Sequence, residues 1–97
     1  MRISLYKFGS VLTSRQSGKE AYAAFQPVLK SVADAELVEV NFEGVLAFSP
    51  SWGDEFLIPL EKRFGNRLTL FDSTNPSVQE TLKTLQQISG VSFTIKK

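Results

Sequence analysis

The chain contains no cysteine and no histidine. Without cysteine there is no disulfide, no thiolate nucleophile and no thiolate metal site. Without histidine the commonest general base and the commonest metal ligand are missing together. A reducing, intracellular setting and a protein that is not an enzyme, with no cofactor and no metal, are the expectations that follow. No apolar run reaches the roughly 18 residues of a membrane-spanning helix. The opening MRISLYKFGS alternates polar with apolar residues where a signal peptide needs a continuous apolar stretch. A cytoplasmic location with no membrane partner is expected.

What the chain does have is enough for one small domain. Ninety-seven residues can bury roughly 60 to 65% of the surface that the unfolded chain exposes, and eight Phe, one Trp and two Tyr supply bulk for that core. No linker, repeat or low-complexity segment divides the sequence.

The formal net charge of +1 conceals an asymmetry. From Ser31 to Glu61 there is no Lys or Arg, while Asp34, Glu36, Glu39, Glu43, Asp54, Glu55 and Glu61 all lie in that span. Such a block is either a solvated face or an acidic surface offered to a basic protein partner, since complementary potentials speed encounter and set register. Nucleic acid is not expected there, because phosphate backbones require positive charge.

Periodicity predicts strands and helices in alternation. Ile3, Leu5 and Phe8 mark a first strand. Ser17 and Glu20 have capping-box spacing ahead of a helix over about 18–32, kinked at Pro27. Leu37 to Phe42 reads as a strand apolar enough to lie centrally. Ser51 and Asp54 repeat the cap spacing before a second helix, in which Trp52, Phe56, Leu60 and Phe64 form one buried face, Pro59 interrupts, and Gly65-Asn66 ends the run. Leu68 to Phe71 is a third strand. Asn75-Pro76 starts a third helix, with Val78, Leu82, Leu85 and Ile88 as its buried stripe and Gly90 as its stop. Val91, Phe93 and Ile95 alternate as a terminal strand. The expectation is an α/β fold with a four-stranded sheet, mixed or parallel, and three helices packed on it.

The segment 43–55 then stands out. It is the junction where the second strand hands over to a helix, and in open α/β sheets the carboxyl ends of strands are where ligands and partners bind. Its motifs, Asn41-Phe42-Glu43-Gly44-Val45 followed by Ser49 and Ser51-Trp52-Gly53-Asp54-Glu55, resemble the STAS domains of anti-sigma-factor antagonists. They resemble more closely a STAS-like branch in which a serine, an aromatic and Asp-Glu open the helix. Gly9, Ser14-Arg15 and Gly18 fit the same branch, so the likeness runs over nearly the whole chain. It implies a small STAS-like fold, no catalytic residues, and a partner-switching module that binds a GHKL-type kinase acting as anti-sigma factor and is released by phosphorylation of a loop serine. The family's acceptor position falls here on Pro50, which has no hydroxyl, and the candidate phosphoacceptors are therefore its neighbours Ser49 and Ser51.

Each of these residues also has a plainer reading. Ser51 is expected to cap the second helix, and Ser49 to lie outside the cap. Trp52 belongs to the core by its stripe, with an exposed interface anchor as the alternative. Asp54 and Glu55 are first-turn acids that favour the helix dipole; no other ligand type accompanies them, so a metal role is not indicated. Arg15 is read as pairing with a local carboxylate or contacting a partner. Gly18-Lys19 is not a P-loop, because no glycine stands five positions earlier and Glu20 follows the lysine. The partner-binding set is thus Arg15, Glu43, Ser49, Ser51, Trp52, Asp54 and Glu55, and a module binding a small ligand at the same strand ends is the second reading. Oligomeric state is left open.

Overall fold

In the computed structural model, which describes all 97 residues, the elements in chain order are β1 (Arg2–Ser4), β2 (Val11–Leu12), α1 (Arg15–Ala24), α2 (Gln26–Leu29), β3 (Val38–Asn41), β4 (Ala47–Phe48), α3 (Pro50–Phe64), β5 (Leu68–Phe71), α4 (Pro76–Ser89) and β6 (Thr94–Lys96). The main sheet has the order β1-β3-β5-β6 and is parallel throughout; β2 and β4 form a separate parallel ribbon. This is the expected α/β class, with β3 between β1 and β5 as its apolar sequence predicts.

The strand order is monotonic, and that decides where the helices go. Each crossover steps the same way across the sheet, and crossovers share one hand, so all helices pack on one face. β3 and β5 accordingly show alternating rather than continuous burial. Ile3, Val38, Val40, Leu68 and Leu70 point into a core of 22 apolar residues. The opposite face, with Arg2, Ser4, Glu39, Asn41, Thr69, Phe71, Thr94 and Lys96, carries no helix and is exposed or half-buried. The strand order never reverses, so the crevice that a reversal opens in doubly wound sheets is absent.

α3 is the central helix. Its apolar residues Trp52, Phe56, Leu57, Ile58, Leu60 and Phe64 are all buried, and burying each such side chain contributes about 1.5 to 3 kcal/mol. The expected interruption at Pro59 does not occur, and α3 runs through it to Gly65. Burial of Phe56, Leu57, Ile58 and Leu60 on either side of Pro59 holds the turn in place. α1 approaches α3 so closely that a Cβ added at Gly18 would sit 2.7 Å from the backbone oxygen of Trp52, which explains glycine inside a helix where it otherwise costs stability.

Several boundaries differ from expectation. α1 starts at Arg15, capped by Ser14, whose hydroxyl accepts from the Ser17 N–H at 3.0 Å; Ser17 is therefore inside the helix. The single kinked helix over 18–32 is two helices, α1 and α2, broken ahead of Pro27, which sits in the first turn of α2. After Ser4 the chain turns into a 3-10 segment, Leu5–Phe8, although Leu5 is buried as its alternation suggests. α4 begins at Pro76 behind Asn75 and stops at Gly90 as expected. Its stripe ends early, because Ile88 is 73% exposed.

Candidate functional site

The chain leaves β3 through a tight turn. Asn41 Oδ1 accepts from the Glu43 N–H at 3.3 Å, and the Val45 N–H donates to the Phe42 carbonyl at 3.0 Å. Gly44 has φ +88, a conformation that favours glycine; Tyr6 also lies against it, since an added Cβ would fall 2.9 Å from Tyr6 Cγ. The segment then lays β4 beside β2, with Val11 paired to Ala47 and Leu12 to Phe48. Neither strand was expected from sequence, and what reads as a free loop over 43–49 is mostly bonded backbone.

This arrangement exposes apolar side chains at one end of the molecule. Leu46 is 70%, Val11 59% and Tyr6 55% exposed, and they sit on adjoining stretches: Leu46 N–H donates to the Ser10 carbonyl at 2.7 Å, next to Val11, while Tyr6 rests on Gly44. Glu43, at the rim, is exposed and makes no ion pair.

The rest of the acidic block is largely neutralised. Arg15 Nη1 donates to Asp54 Oδ2 at 2.7 Å and to Glu55 Oε1 at 3.0 Å, and these hydrogen bonds, Asp54 first, raise the Arg15 pKa above its ordinary value. Glu36 holds the N-terminal ammonium at 2.8 Å, and Glu39 faces Arg2 at 3.4 Å and Lys96 at 3.7 Å. Of the seven acids only Asp34, Glu43 and Glu61 lack an ion pair. The acidic stretch in sequence is therefore not one acidic surface in space.

Ser49, not Ser51, occupies the N-cap position of α3. Pro50 is the cause: its fixed φ suits the first helical position and pushes the cap one residue back. The Ser49 hydroxyl does not cap the helix; it donates to the Thr13 carbonyl at 2.7 Å, tying the helix start to the end of β2. Ser51 lies in the first turn with its hydroxyl free of intramolecular bonds. It lines a cleft of about 260 Å³ together with Arg15, Asp54, Leu85 and Ile88. Trp52 is fully buried. It stacks on Phe56 with centroids 4.9 Å apart and meets Phe48 at 5.9 Å, which excludes the interface-anchor reading. Its indole N–H is buried without a hydrogen-bond partner.

A second cleft, of about 460 Å³, opens at the carboxyl ends of β3 and β5 and is lined by Asn41, Glu43, Phe71, Asp72 and Ser73 among others. No group of three His, Cys, Asp or Glu is placed to hold a metal ion, and no helix is long and apolar enough to cross a membrane. No family model, curated protein or solved structure matches the chain.

Residues that sequence reasoning missed are Tyr6, Val11 and Leu46, and behind them Ser77 and Thr81; Asn75 is the expected helix start but has a second role there. Asn75 Nδ2 donates to the carbonyls of Val45 and Leu46 at 2.9 and 3.1 Å. Ser77 Oγ accepts from the Phe48 N–H at 2.9 Å and donates to the Phe48 carbonyl at 3.0 Å, which also accepts from Thr81. The one available signal was that Ser77 and Thr81 stand a helical turn apart beside the apolar stripe of α4.

Proposed function

We propose that this chain is a non-enzymatic protein-interaction module, and that its partner docks on the apolar end formed by Tyr6, Val11 and Leu46 with Glu43 at the rim. The observation that carries this reading is the exposure of three large apolar side chains on adjoining segments, Tyr6 in the 3-10 turn, Val11 in β2 and Leu46 just ahead of β4. Apolar groups clustered at a surface and rimmed by charge are the usual mark of a protein contact. The STAS-like resemblance points to the same strand-to-helix junction, and a partner-switching role of the anti-sigma-factor-antagonist kind, in the cytoplasm, is the form that the resemblance favours.

If switching works by phosphorylation, Ser51 is the better acceptor. Its hydroxyl is unengaged and Arg15 lies in the same cleft, whereas a phosphate on Ser49 would remove the donor that holds the Thr13 carbonyl. A second reading, a small polar ligand bound at the strand ends, rests on the 460 Å³ cleft and its polar lining of Asn41, Asp72 and Ser73.

The test is affinity capture from native cytoplasm with the wild-type chain and with Leu46→Asp and Val11→Asp. A specific protein retained by the wild type and lost, about 30-fold or more, by both variants is expected, equal to roughly 2 kcal/mol of a binding hot spot. For that partner, Glu43→Lys should slow association and change its salt dependence. A partner that binds all variants alike would remove the apolar end from the contact, and a small molecule co-purifying in place of a protein would favour the second reading.

A further inference from the structure

We infer that Asn75 is a positioning residue for the docking end, holding the 45–48 backbone in shape from the N-cap of α4; the inference rests on the docking reading above. β4 and the two residues that lead into it have two edges. On one side the backbone is satisfied by β2 and the residue before it: Leu46 and Ala47 donate to the Ser10 carbonyl, and Ser49 N–H donates to that of Leu12. The other side faces no strand. Its polar groups are the carbonyls of Val45 and Leu46 and both backbone groups of Phe48, and backbone groups taken out of water need partners. All four are met by side chains of α4 and its N-cap. Asn75 takes the first two, Ser77 takes the N–H and carbonyl of Phe48, and Thr81, the one buried polar residue of the chain, also donates to that carbonyl. Two side chains on α4 and the one at its N-cap thus replace a neighbouring strand, and Leu46 is presented from a backbone fixed on both edges. Fixing a binding segment before the partner arrives removes an ordering cost from association.

Asn75 does two jobs with the two ends of one amide. Oδ1 accepts from the Ser77 N–H at 2.8 Å and caps α4, while Nδ2 clamps Val45 and Leu46. Only this orientation of the amide satisfies both sets of bonds. The two jobs are therefore separable by mutation. Asn75→Asp and Asn75→Ser both keep a good cap and both lack the Nδ2 donors; the pair controls for the added charge.

The experiment is amide hydrogen exchange by NMR on the free 97-residue chain, followed by binding of phage-displayed peptides selected on the wild type and lost on Leu46→Asp. In both Asn75 variants the amides of Leu46, Ala47 and Phe48 should exchange about tenfold faster, with Val40 and Leu70 unchanged, as local opening of one segment requires. The peptides should bind the Asn75 variants several-fold more weakly. Thr81→Val should act in the same direction, and Thr81→Ser, which keeps the hydroxyl, should not. Unchanged exchange at 46–48 in both Asn75 variants overturns the clamp. Faster exchange with unchanged peptide affinity overturns its positioning role and leaves the docking surface standing. Failure to select any peptide that depends on Leu46 overturns the docking surface instead, while the exchange result still judges the clamp.

Discussion

The bare face of the main sheet and the end formed by β2, β4 and the 3-10 turn are both open to solvent, yet their chemistry is opposite. On the sheet face the charges answer one another. Glu39 lies between Arg2 and Lys96, and both cations sit over the Phe71 ring, at 5.8 and 5.7 Å. Edge strands β1 and β6 are short, and β6 carries lysine, the usual means of keeping an open edge from pairing with another chain. At the ribbon end the exposed residues are Tyr6, Val11 and Leu46, and the nearest acid, Glu43, has no counter-charge. One region is finished in itself, and the other leaves apolar surface and a charge unmatched. Exposure alone does not mark a contact surface; exposure without internal compensation does.

The largest effect is expected beneath the ribbon end. Trp52 supports the ribbon end through Phe48 and the helix layer through Phe56, with no exposed surface of its own. Trp52→Ala should cost about 3 to 5 kcal/mol in urea unfolding, a large part of the 5 to 15 kcal/mol that holds a domain of this size. Trp52→Phe should cost much less, because it keeps an aromatic ring and deletes the one buried N–H without a partner. A Trp52→Ala chain as stable as wild type but deficient in binding would return Trp52 to the interface.

One new charge on each region should act differently. Leu46→Asp and Thr69→Asp both place an aspartate on a solvent-facing side of the chain. The unfolding free energy should shift little for Leu46→Asp, within about 1 kcal/mol, and more for Thr69→Asp, whose new charge falls beside Glu39 on the neighbouring strand. Partner affinity should drop by roughly 2 kcal/mol for Leu46→Asp and stay near wild type for Thr69→Asp. Equal losses would mean that the sheet face takes part in docking and that its paired charges are not a finished surface.

How far all this was readable from sequence depends on the length of the signal. The strands around Val38–Asn41 and Leu68–Phe71, the α3 stripe behind Trp52, the Asn75-Pro76 start and the Gly65 and Gly90 stops have four or more residues of pattern or a residue type with one strong backbone preference. The pairing of Arg15 with Asp54 and Glu55 was foreseeable in kind, as one cation before a helix and two acids in the first turns of another. Two-residue strands such as β2 and β4 show no period at all, and with them Leu46 and Val11 went unnoticed. Serines three apart, Ser14 and Ser17, satisfy the same local capping rule, and only packing chooses between them. At α3 the sequence did hold the answer: the reasoning that placed Asn75 before Pro76 applies equally to Ser49 before Pro50. Ile88 continues the helical stripe of α4 beyond the last residue of the core it can reach, which periodicity cannot see.

On the sheet face itself, Glu39→Gln removes the acid shared by Arg2 and Lys96. Both cations are well exposed, and the distances of 3.4 and 3.7 Å are long for ion pairs, so the loss should be about 1 kcal/mol or less with no effect on partner binding. A larger loss would make the charge lattice a structural element in its own right and weaken the contrast with the ribbon end.

The smallest effect expected is at Glu36, where the acidic block meets the start of β1. Its carboxylate accepts from the N-terminal ammonium at 2.8 Å and from the Ala33 N–H at 3.1 Å, and these bonds, the ammonium first, hold its pKa below the ordinary glutamate value. A carboxyl depressed on folding contributes stability that is present above its unfolded pKa and lost as pH falls through the folded one. Wild type should therefore lose stability more steeply than Glu36→Gln across the ordinary carboxylate range, about pH 3 to 5, and the two should run parallel from there to neutral pH. Urea midpoints measured at several pH values through that window decide the matter: identical slopes would mean that the ammonium contact is not maintained in solution, and that Glu36 belongs with Asp34, Glu43 and Glu61 among the acids free to meet a partner.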